Sequence, residues 1–135
     1  MRALLLSCFA AILLCGCFGF KPFQPPPSGN ERWRKSGATE PDVTAALLEC
    51  GYLEPRGRVP GLNVSMSVND DILGRLCMEK SGFVSDPEDS AEGYCKILRN
   101  EPVACQPGTP APSRDVNKRL SSQFCKRFPY ADVCS

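Results

Sequence analysis

The chain has 135 residues, 16 basic and 15 acidic side chains, nine cysteines and no histidine, for a formal charge of +1. That balance excludes a bulk attraction to nucleic acid, and the missing histidine removes the commonest general base and metal ligand. With no Gly-rich phosphate loop and no nucleophile elbow either, the chain reads as no enzyme, with no cofactor and no metal. The charge is unevenly spread: residues 39 to 95 hold 4 basic and 11 acidic side chains, and residues 96 to 135 hold 7 basic and 3 acidic. Such a dipolar layout can orient a domain or a partner, or be two solvated faces that differ.

Residues 1–16 run from Met1-Arg2 through an apolar stretch, Ala3 to Leu14, into small residues, the order of an export signal peptide. The apolar run is roughly 12 residues, against about 20 for a helix that crosses the hydrocarbon core, so no transmembrane span is expected. Three cysteines, Cys8, Cys15 and Cys17, compete to be the processing site. Leu14 precedes Cys15, and Cys8 leaves too short an apolar run before it. Cys17 follows Gly16 and has Leu14 three residues before it, and this "LLCGC" resembles the lipobox of bacterial lipoproteins. The resemblance implies cleavage before Cys17 and acylation of Cys17, by diacylglycerol on sulfur and palmitate-like acyl chains, and so attachment to a membrane. Phe18 after the acceptor, rather than aspartate, implies sorting to the outer membrane.

Residues 17–38 read as a lipidated, Pro-rich tether: "PPP" at 25–27 favours extended geometry, and Ser28-Gly29 breaks it. Phe18, Phe20 and Phe23 with Lys21 suit a headgroup layer or a plain spacer. An ordered domain is expected over 39–135, mostly α, of about four short helices with at most one short strand. Thr39 caps the first helix, with Pro41 and Asp42 in its first turn, Val43, Ala46, Leu47 and Cys50 at helical spacing, and Gly51 as its stop. Leu62, Val64, Met66 and Val68 alternate with polar residues, as in a half-buried strand or an extended segment lying on helices. A second helix is expected from an Asn69 cap to Gly82, with Ile72, Leu73 and Leu76 facing the core.

Asp86, Glu88, Asp89 and Glu92 crowd into seven residues, but an EF-hand count from Asp86 puts Ala91 and Ile97 where glycine and glutamate belong. The cluster reads instead as the positive end of a third helix that has Lys96 and Arg99 at its other end, with Gly93 weakening it. Ser113 is expected to cap a fourth helix with Val116, Leu120 and Phe124 on one stripe, ended before Pro129.

Setting aside Cys8, Cys15 and Cys17 leaves Cys50, Cys77, Cys95, Cys105, Cys125 and Cys134, an even set that reads as three disulfides in an exported chain. No C-x-x-C occurs, which speaks against metal or redox use. Six cysteines allow 15 pairings. Loop length favours Cys95–Cys105 around one proline-containing turn and Cys125–Cys134 around Pro129, which leaves Cys50–Cys77 to clamp the first two helices.

Trp33, Lys35, Gly37 to Thr39, Asp42, Val43 and Ala46 to Tyr52, with "CMEKSGF" and "ACQP", resemble a group of short cysteine-rich bacterial lipoproteins without assigned activity. The resemblance implies export, lipidation and paired cysteines. The function expected is that of a lipid-anchored cell-envelope binding or scaffolding lipoprotein, with the membrane held through Cys17 and an envelope protein as partner. The alternative is an envelope inhibitor or immunity lipoprotein, such as a phage-borne exclusion factor.

Overall fold

A computed structural model describes residues 28–55 and 66–135; residues 1–27, with the expected signal peptide and Cys17, and residues 56–65 lie outside the described residues. Six helices occur among these: α1 (Gly29–Arg32), α2 (Glu40–Glu49), α3 (Val68–Lys80), α4 (Ala91–Ile97), α5 (Val116–Ser121) and α6 (Gln123–Arg127). Single 3₁₀ turns at Pro87–Asp89, Val103–Cys105 and Asp132–Cys134 complete them. The domain is mostly helical, as the sequence predicts. No strand forms among the described residues; the sole β element there is one antiparallel bridge between Arg34 and Val84. Of the alternating segment at 62–68, residues 62–65 lie outside the described residues, Ser67 caps α3 and Val68 opens it.

α2 and α3 form the centre, and their ends are built alike. Thr39 and Asp42 make a reciprocal capping box: the Thr39 hydroxyl accepts from the Asp42 N–H, and the Asp42 carboxylate accepts from the Thr39 N–H at 2.8 Å. At the other end Gly51 (φ 93°) donates to Leu48 O and Tyr52 to Leu47 O, the paired bonds of a Schellman stop. α3 repeats this with Gly82 (φ 82°) donating to Glu79 O and Phe83 to Met78 O. The stop folds Phe83 back onto Met78, and both rest in one buried cluster with Trp33, Val43, Ala46, Leu47, Cys50 and Cys77.

The core is divided into three. Besides the central cluster, Leu48 packs with Phe124, Cys125 and Val133 under the C-terminal turn, and Ile72 packs with Cys95 and Ala104 between α3 and α4. Each cluster contains a disulfide: Cys50–Cys77, Cys95–Cys105 and Cys125–Cys134, with Cα atoms 5.5, 5.6 and 5.3 Å apart. Loop length favours the last two of these pairs, and Cys50–Cys77 is the pair it leaves.

Three expectations are corrected. The tether does not extend to residue 38: Trp33 is 5% exposed in the central cluster, the Asn30 N–H donates to Pro55 O, and Arg34 and Val84 exchange backbone bonds. Burial of an indole is worth more than the order it costs a short polar segment. On α3, Ser67 rather than Asn69 is the cap, while Ile72 is buried and Leu73 and Leu76 pack half-buried against its cluster, as expected. The fourth helix is two, since Ser122 turns extended (ψ 154°) and caps α6, while Asp115 rather than Ser113 caps α5. The broken stripe leaves Val116 and Leu120 about half exposed and buries Phe124.

Candidate functional site

The acidic run at 86–92 is organised by arginines rather than arranged around a cation. Asp86 pairs with Arg34 at 2.7 Å, and Asp89 with Arg32 at 3.4 Å. Arg75, 7% exposed on α3, donates to the Asp89 carbonyl, pairs with Asp71 at 3.3 Å and lies 4.2 Å over the Tyr94 ring. Glu79 accepts the Ala91 N–H, and Glu92 pairs with Lys96. The carboxylates thus pin the Pro87–Asp89 turn to α1 and α3. Among the described residues no three histidine, cysteine or carboxylate groups come together to hold a metal ion. The Tyr52 phenol is pushed up, first by burial and then by the neighbouring Asp71 carboxylate, so it stays protonated against α3.

At the far end of α2 lies an open groove of about 660 Å³, walled by Pro41 and Thr44 on one side and by Phe124 and residues 127–133 on the other. Its shape follows from local rules. The Ser122 hydroxyl accepts from the Cys125 N–H and starts α6; Pro129 ends it. Ala131 then donates to Phe128 O and Cys134 to Ala131 O, and the Cys125–Cys134 bridge closes the loop. The rings of Phe124 and Phe128 meet at 5.2 Å. Glu49, 5% exposed at the end of α2, holds the frame: its carboxylate takes Arg114 at 2.6 Å and Arg119 at 3.1 Å, and Arg119 also donates to the Val133 carbonyl.

The rim carries side chains that the fold does not use. Tyr130 is 98% exposed and Phe128 38%. Lys126 and Arg127, in the last turn of α6, are exposed and make no ion pair among the described residues. Asp132 is the one carboxylate on the turn between them and Val133. On the α2 wall, Thr44 is 3% exposed and its hydroxyl finds no hydrogen-bond partner. The arrangement offers an apolar, cation-flanked surface for contact, held rigid by a disulfide.

Of the residues picked out from the sequence, the six domain cysteines come together in pairs, and Cys17 lies outside the described residues. Sequence reasoning passed over Thr44, Lys126, Arg127, Phe128 and Tyr130. The available signal was "CKRFPY", two cations and two aromatics around a proline inside a short cysteine loop. No helix among the described residues is long and apolar enough to cross a membrane. Comparison with protein-family models, with curated proteins and with solved structures finds no match to this chain.

Proposed function

We propose that the chain is a lipid-anchored binding or scaffolding lipoprotein of the bacterial cell envelope, held at the outer membrane through Cys17 and working by contact with an envelope protein, without catalytic activity. The observation that carries this reading is the stapled frame: each of the three core clusters holds one disulfide. A small domain closed covalently in this way suits binding, since little order is lost when a protein docks on it. The described residues begin at Ser28, eleven residues after Cys17, so an acylated Cys17 would keep the domain close to its bilayer. Several acyl chains exceed what stable anchoring needs.

The test has two parts in intact cells. Growth with a fatty-acid probe should label the chain, and Cys17→Ser should abolish the label. Crosslinking followed by mass spectrometry should return a resident envelope protein. A chain without label would overturn the anchor that both readings share, and one that crosslinks to nothing resident yet protects cells against a toxin or phage would overturn the scaffolding reading and favour the immunity class.

A further inference from the structure

We propose that the Phe128–Tyr130 turn, with Lys126 and Arg127, is a docking surface for an anionic lipid bilayer. The chemistry is that of an interfacial contact. Tyr130 buries almost nothing in the folded chain, and Phe128 and Pro129 stand exposed beside it. Amphipathic rings of this kind rest at headgroup level, the ring among acyl carbons and the hydroxyl in water. Lys126 and Arg127 precede the rings directly and have no ion pair to break among the described residues, so anionic headgroups meet two cations against the carboxylate of Asp132 on the same turn. The Cys125–Cys134 bridge preforms the turn.

Position and charge agree. The turn packs on α2, whereas the Pro87–Asp89 turn with its carboxylates packs on α4, and α4 on α3. The acidic run is taken up by Arg32, Arg34 and Arg75, whereas the charges of Lys126 and Arg127 face solvent, and a negative surface would draw the C-terminal turn toward it. Eleven residues from Cys17 to Ser28 span about 40 Å at most, and the chain enters the domain against α2, whose Pro41–Thr44 edge walls the groove. A membrane that held Cys17 would lie within reach of the turn. Only this orientation rests on the envelope reading; the contact itself does not.

The experiment uses the full chain carrying Tyr130→Trp, mixed with vesicles of phosphatidylglycerol in phosphatidylethanolamine, or of phosphatidylcholine, each with brominated acyl chains. Trp33, buried in the core, supplies a constant background. The indole at position 130 should be quenched on the anionic vesicles and much less on the neutral ones. Lys126→Gln with Arg127→Gln should remove most of that quenching, at about fivefold in surface affinity per charge, and Glu88→Gln across the domain should not. Flotation with both vesicle types without quenching would overturn the contact and leave the Cys17 anchor standing. Flotation and quenching on anionic vesicles alone would support the contact and count against the anchor, and flotation with neither would overturn both. A residue-130 photocrosslink in cells that captures an envelope protein instead of lipid would also refute the contact.

Discussion

Replacing Cys50 and Cys77 together by alanine should be the most damaging loss of any one disulfide. The bridge closes 27 residues, against 10 for Cys95–Cys105 and 9 for Cys125–Cys134. Loop-closure entropy assigns about 3.5 kcal/mol to the first and about 2.6 kcal/mol to each of the others. The folded state adds to the difference: Cys50 and Cys77 are 5% and 0% exposed in the central cluster, so two missing sulfurs leave a void there, while Cys134 is half-buried. A loss of this size is a large share of the stability of about 5 to 15 kcal/mol that a small domain has. The assay is urea titration followed by fluorescence of Trp33, the single tryptophan, which sits in the same cluster as both sulfurs. With a slope of about 2 kcal/mol per molar urea, the midpoint should fall by about 1.7 M. A fall no greater than that from Cys125→Ala with Cys134→Ala would refute the ranking, and with it the placement of the long bridge at the centre of the core.

Gly93→Ala should destabilise. Helix propensity alone would gain about 1 kcal/mol there, but a Cβ would stand 2.0 Å from the Pro87 carbonyl oxygen, so a loss of about 2 to 3 kcal/mol is expected in the same titration and a gain would contradict the packing of α4 on the Pro87–Asp89 turn. Thr44→Val removes a buried hydroxyl without a partner and keeps the shape. It should be neutral or stabilising by about 1 kcal/mol, and a loss of that size would mean that the hydroxyl has a partner. Asp42 is held below the ordinary carboxylate range by the hydroxyl and N–H of Thr39. A depressed folded-state pKa gives stability that is complete above the unfolded value and fades as pH falls through the folded one. Asp42→Asn should therefore be less stable than the parent at neutral pH and converge with it in acid; curves that stay parallel below the carboxylate range would count against the capping box.

The parts of the fold legible in the sequence were those fixed by local chemistry. Thr39, Asp42 and Gly51 mark α2 within a residue because a capping box and a left-handed stop need only neighbours. Two of the cysteine pairs followed from short loops around prolines, and Cys50–Cys77 as the pair they leave. What escaped depended on distant packing. Trp33 lies among polar and basic residues after a proline run, and only the pocket between α2 and Phe83 tells it from a spacer residue. The stripe Val116, Leu120, Phe124 has helical spacing, yet Ser122 caps a new helix in its middle, a local bond that competes with the stripe. The carboxylates at 86–92 read as a helix end rather than a cation site, but their pairing was not legible, because Arg32, Arg34 and Arg75 arrive from other elements. The rim residues of the groove were hidden for the opposite reason: Tyr130 packs against almost nothing, and Phe128, set on the ring of Phe124, follows no helical or strand period.

The central claim, a stapled helical domain carried on a lipid, is tested most directly by mass spectrometry of the non-reduced chain extracted from membranes. The account predicts an amino-terminal peptide that begins at Cys17 and bears diacylglycerol and an acyl chain, together with linked peptides joining Cys50 to Cys77, Cys95 to Cys105 and Cys125 to Cys134. An unmodified amino terminus at any other residue, or Cys17 found in a disulfide with one of the six domain cysteines, would contradict it.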